Sequence, residues 1–111
     1  MKQLIVDGRS IALDKDGYLD DLHDWSSQVA EALAIEEDIV LTPEHWEILE
    51  LLRAFYAEFQ LSPATRPLVK YTALKLGADK GNSLHLNCLF NGTPAKLAAK
   101  LAGLPKPTNC L

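Results

Sequence analysis

The stretch TPEHWEILELLRAFYAEFQ, residues 42–60, decides how the rest of the chain is read. Its apolar residues Ile48, Leu51, Leu52, Phe55 and Phe59 fall at offsets of 0, 3, 4, 7 and 11, one stripe of a 3.6-residue repeat. Thr42 followed by Pro43 marks the start: a hydroxyl N-cap can accept an orphan backbone N–H, and proline at N1 has no N–H to leave unpaired. The pattern predicts a long helix from Thr42 to about Gln60 whose stripe forms the spine of the core. The same start signal recurs at Ser62-Pro63 and Thr93-Pro94. The Ser62 helix buries Leu68, Tyr71, Thr72 and Leu76 and stops near Gly77. The Thr93 helix buries Leu97, Ala98, Leu101 and Ala102, with Gly103 as its C-terminal cap.

Outward from these helices, Asp24 is expected to cap a helix using Trp25, Val29, Ala32 and Leu33, and Asn82 a short one through Leu89. Before them, two apolar runs flank Asp7-Gly8, the strongest short-range hairpin signal, because a type I′ turn needs positive φ at both central residues. A second turn, Asp14-Lys15-Asp16-Gly17, is no calcium loop: glycine falls fourth rather than sixth, and Trp25 stands where a glutamate is required. The expected fold class is α+β and mostly helical: an orthogonal helical bundle with an N-terminal β-hairpin and an extended C-terminal arm. One domain covers 1–111, with hairpin region 1–19, bundle 22–103 and arm 104–111.

At 111 residues the chain can bury one modest core, roughly two-thirds of its unfolded surface. No apolar run approaches the ~20 residues of a membrane span. The start MKQLIVDGRS turns polar after three apolar residues, which predicts no secretory signal. Two cysteines in such a chain point to a reducing, cytoplasmic setting. The net charge of −4 is unevenly spread. Residues 1–63 carry four Lys/Arg against fourteen Asp/Glu, a balance of −10; residues 64–111 carry seven against Asp79 alone, a balance of +6. The split suggests that the C-terminal half meets something anionic.

Few residue patterns carry chemistry. His23, His45 and His85 match no metal-ligand spacing, and His45 reads as a surface residue. His45-Trp46-Glu47 echoes the start of a deaminase signature, but the paired cysteines that would hold zinc are missing. Glu44, Glu47 and Glu50 read as a solvated face. Lys70, Lys75 and Lys80 could belong to a nucleic-acid-binding regulator, although the acidic helix before them opposes phosphate contacts. Cys88 lies in an apolar helical stretch and reads as a small buried hydrophobe, with a redox pair to Cys110 as the alternative.

Cys110 differs, because a thiol one residue from a chain end is ordinarily exposed. Pro105 and Pro107 favour an extended tail that would project about 23 Å from Pro105 onward. Lys96 and Lys100, four residues apart on one helix face, and Lys106 can offset the charge of a sulfur anion. The pattern suits a carrier that takes a group in one partner's pocket and releases it in another's.

Across its whole length the chain resembles the TusE/DsrC family of sulfur-carrier proteins. The resemblance is carried by Asp16-Gly17-Tyr18-Leu19, Leu41-Thr42-Pro43-Glu44-His45-Trp46, Ser62-Pro63-Ala64-Thr65-Arg66 and the Lys80-Gly81-Asn82 turn before Leu89-Phe90. Gly92-Thr93-Pro94-Ala95-Lys96, Ala102-Gly103-Leu104-Pro105-Lys106-Pro107 and penultimate Cys110 complete it. It implies a persulfide on Cys110. From the residues themselves, Lys96, Lys100 and Lys106 are expected to offset its charge or dock a partner, Arg66 in the matching Ser-Pro-Ala-Thr-Arg motif to anchor the arm or a partner, and no cofactor or metal is expected. Members of the DsrC type have a second arm cysteine eleven residues upstream, where this chain has Ala99. That departure favours the TusE-like branch over a dissimilatory sulfite reductase partner. For that branch the resemblance implies sulfur received from a TusBCD-like complex and passed to an MnmA-like tRNA 2-thiouridylase, which thiolates the wobble uridine.

Overall fold

The computed structural model describes residues 2–107. Strands β1 (Lys2–Val6) and β2 (Arg9–Leu13) pair antiparallel with Leu4 opposite Ile11, and Asp7 and Gly8 both take positive φ, as a type I′ hairpin requires. Alternation puts Leu4, Val6, Ile11 and Leu13 on the buried face. After a 3₁₀ turn at Leu22–Asp24 come five helices: α1 (Ser27–Glu36), α2 (Pro43–Phe59), α3 (Thr65–Leu76), α4 (Ser83–Leu89) and α5 (Pro94–Leu101).

Although α2 is the longest, the hub is α5, which packs against each of the other four helices. Pro94, Ala95, Leu97, Ala98, Ala99 and Leu101 of its eight residues are buried. Its alanines let neighbouring backbones approach closely, since the side chains at a crossing set the interaxial distance. Around it, Ile48, Leu49 and Leu52 of α2, Val29 and Leu33 of α1, Leu68 of α3 and Leu86 of α4 form one core with the hairpin.

Several expectations need correcting. The cap of α1 is Ser26, whose Oγ accepts the Val29 N–H at 3.2 Å, rather than Asp24. The chain is extended at Trp25 because the indole reaches a carbonyl of α5, and the preceding 3₁₀ turn is capped by Asp21. Ser62 does not start α3; the helix begins at Thr65 after Ala64. The reason is Pro67. A start at Pro63 would put Pro67 at the fifth helical position, where an N–H is needed, whereas a start at Thr65 puts it among the orphan donors. Phe59 is 47% exposed and packs at the rim, 4.6 Å between ring centroids from Phe55. Thr93 sits at the N-cap of α5, but its hydroxyl makes no cap bond.

His45 is not a surface residue. It is 6% exposed, with Nδ1 accepting the Thr42 N–H at 3.1 Å and Nε2 2.8 Å from the Leu89 carbonyl oxygen. Because Nδ1 accepts from a backbone donor, the proton sits on Nε2 and is donated to Leu89, which joins the start of α2 to the end of α4. Cys88 is exposed on α4 rather than buried.

The C-terminus of α5 satisfies its orphan carbonyls one by one. Leu104 N–H donates to Ala99 O at 2.9 Å and Gly103 N–H to Lys100 O at 3.2 Å, the two bonds of a Schellman motif, with Gly103 at φ +74. Beyond them, Trp25 Nε1 donates to Leu101 O at 2.9 Å and Arg53 Nη1 to Ala102 O at 2.6 Å. A Cβ at Gly103 would lie 2.4 Å from Trp25 Cδ1. Gly103→Ala is therefore expected to cost on the order of 2–3 kcal/mol, from positive φ and overlap with the indole, read as a lower urea midpoint at unchanged slope.

Candidate functional site: the root of the C-terminal tail

The tail does not leave the body at Pro105. Leu104 and Pro107 are buried, and Ser62 Oγ donates to Pro105 O at 2.5 Å. Lys106 Nζ lies 3.6 Å from Asp16 Oδ2. Four successive holds thus come from different parts of the chain: Trp25 on Leu101, Arg53 on Ala102, Ser62 on Pro105 and Asp16 on Lys106. This corrects the expected projection from Pro105 onward. Cys110, and the proposed Cys88–Cys110 pair with it, lies outside the described residues.

Arg53 is central to the root. Its guanidinium sits 4.3 Å over the Trp25 ring, a cation–π contact, and meets the negative end of the α5 dipole. Burial pushes its pKa down from the ordinary value, and the group stays charged because arginine starts so high.

Beside the root lies an open cleft of about 270 Å³ lined by Asp16, Tyr18, Glu37, Thr93, Lys96, Leu97, Lys100 and Lys106. It unites three of the lysines singled out in the sequence, Lys96, Lys100 and Lys106. Arg66 is not among them; it is exposed in the first turn of α3. Lys100, with a side chain 16% exposed, bonds Glu37 Oε2 at 2.7 Å. Gly17, at φ +88, passes so close to that ammonium that a Cβ would lie 2.8 Å from Nζ. Tyr18 OH donates to Lys96 O at 3.0 Å, which ties the turn after β2 to the first half of α5.

The charge split is partly resolved inside the molecule. Lys80 bonds Glu47 at 2.6 Å, Lys100 bonds Glu37 and Lys106 faces Asp16. Three of the seven cations in 64–111 thus meet acids of the first half rather than an external anion. The hydrogen bond to Glu47 raises the pKa of Lys80, and Glu47 is accordingly not part of a purely solvated face. Lys75 lies 5.6 Å from the Tyr71 ring centroid.

Sequence reasoning missed Trp25, Arg53, Tyr18 and the true task of Ser62. Only Ser62 left a usable signal, since Pro67 four residues after Pro63 contradicts a helix start there.

Relatives agree with this architecture. The sequence model of DsrC-like proteins matches residues 5–111, so the chain belongs to the DsrC-like protein family. It is 53% identical to a sulfurtransferase TusE homolog of Haemophilus influenzae and 50% identical to sulfurtransferase TusE of Salmonella choleraesuis. Each match spans 108 residues, 97% of this chain and 99% of the relative. The solution structure of Allochromatium vinosum DsrC superposes with a TM-score of 0.90 at 47% identity, covering 99% of this chain and 98% of that one. No helix among the described residues is long and apolar enough to cross a membrane.

Lys100→Met is expected to lower stability by about 1 kcal/mol, because Glu37 loses its partner beside α5, whereas exposed Lys96→Met should leave the urea midpoint unchanged.

Proposed function

We propose that the chain is a cytoplasmic sulfur carrier that holds sulfane sulfur as a persulfide on Cys110 and relays it for 2-thiolation of the tRNA wobble uridine. The observation that carries this reading is the anchored root: the backbone is held as far as Pro107, beside a lysine-bearing cleft. Cys110 follows three residues later, within about 10 Å of chain at full extension. A thiol within that reach of the root meets a partner's sulfur close to the carrier's own surface. Two relatives that match nearly end to end carry the name sulfurtransferase TusE or its homolog, which supports the same reading.

The chemistry is thiol exchange. The Cys110 thiolate attacks the outer sulfur of a donor persulfide, R–S–S⁻; the new bond is Cys110 S–S⁻, the bond broken is the donor's S–S, and the donor leaves as R–S⁻. A second attack by an acceptor cysteine on the outer sulfur returns Cys110 to its thiolate. No oxidant is consumed, because the sulfane sulfur keeps its oxidation level. Of the lysines lining the cleft beside the root, Lys96 has no ion pair among the described residues and lowers the cost of the extra anion or meets a partner's acids, while Lys100 and Lys106 would exchange Glu37 and Asp16 to do the same. Arg66, exposed in the first turn of α3 and not among the residues lining the cleft, is left for partner contact. The donor is a TusBCD-like complex and the acceptor an MnmA-like 2-thiouridylase.

A sulfite-reductase cycle with two arm thiols fits less well. The position for the second sulfur is Ala99, fully buried in α5, with its carbonyl engaged by the Leu104 N–H. Incubation with a cysteine desulfurase relay, followed by peptide mass mapping, should add one sulfur atom to the peptide carrying Cys110 and none in Cys110→Ser. Sulfur found on Cys88 alone, or normal wobble thiolation in cells carrying only Cys110→Ser, overturns the proposal.

A further inference from the structure

A second cleft, about 300 Å³, is lined by Glu31, Ala34, Ile35, Ile39, Val40, Leu41 and Trp46, at the end of α1 and the entry to α2. Ile35 is 73% exposed and Val40 84% exposed, although branched aliphatic side chains usually bury. An apolar hollow with such a rim marks an interaction surface.

Its charge is one-sided. No Lys or Arg occurs between Lys15 and Arg53, while eleven Asp/Glu do. Glu37 and Glu47 are matched by Lys100 and Lys80 from other elements, but Glu31, Glu36 and Asp38 have no ion pair among the described residues. The hollow also adjoins the tail root. Glu37, between Ile35 and Ile39 in the chain, lines the lysine-bearing cleft, so a body seated on one cleft borders the other.

We propose that this hollow docks the sulfur acceptor, through an apolar side chain flanked by Lys or Arg on a tRNA-binding protein. The inference rests on the relay reading above. A protein that binds tRNA must display basic residues to meet phosphates, and the acidic rim complements such a surface while repelling the nucleic acid itself. Seating the acceptor here sets it next to the lysine-bearing cleft at the tail root.

The test uses chain loaded on Cys110 from inorganic polysulfide and measures sulfur transfer to an MnmA-like acceptor. Ile35→Glu/Val40→Glu should reduce kcat/KM for transfer about tenfold or more, chiefly through KM, because two exposed anchors are lost. Polysulfide loading and the melting curve should match wild type. Glu31→Lys/Glu36→Lys should weaken transfer as well, and added salt should slow wild-type transfer more than that of this variant. Wild-type transfer by the Ile35/Val40 variant overturns the proposal. So does a defect confined to loading from the protein donor, or a wild-type dimer that the variant converts to monomer. If wild-type chain takes up no sulfur on Cys110, the relay reading itself fails, a result distinguishable from any of these.

Discussion

The structure depends on how the last carbonyls of α5 are satisfied. A helix end normally hands its unpaired carbonyls to water; here a Schellman pair takes two, an indole takes the third and a guanidinium the fourth. Trp25 and Arg53 are donors from sites 28 residues apart in sequence, stacked on each other. The same bonds therefore hold the 3₁₀ segment, α2 and α5 together and fix the direction in which the tail departs. Gly103 makes this possible, because only a residue without Cβ fits beneath the indole at positive φ.

From that end the remaining organisation follows. α5 is short and rich in alanine, so it cannot supply much apolar area itself, but it lets four helices approach a common axis. The hairpin and its following turn close the other side, where Gly17 makes room for the Lys100 ammonium and Tyr18 bonds the carbonyl of Lys96. Acidic first half and basic second half are thereby stitched at the surface, at Glu37–Lys100, Glu47–Lys80 and Asp16–Lys106. The more exposed pairs, Glu47–Lys80 and Asp16–Lys106, contribute little each; their use is to set which faces meet.

Much of the fold was legible in the sequence because its signals are local. The Asp7-Gly8 hairpin, Thr42-Pro43 before α2, the Asn82 cap of α4 and Gly103 after α5 each act within a few residues, and each stands where expected. What failed was non-local. Pro67 argues locally against Ser62 as a cap, but the partner its hydroxyl does serve, Pro105, lies 43 residues on. His45 looked exposed because its acceptor, the Leu89 carbonyl, is 44 residues away. Of the candidate site, the grouping of Lys96, Lys100 and Lys106 was foreseeable from helix spacing and the adjoining tail. The Trp25–Arg53 clamp was not, since neither residue belongs to a pattern.

The burial of Ala99 bears on how such carriers diverge. A second sulfur at that place would start inside α5, among packed neighbours, where a side chain larger than a methyl must displace core atoms. Acquiring a two-thiol cycle is thus not a matter of one codon. It also demands room in the core beside α5, which its packed neighbours would have to yield.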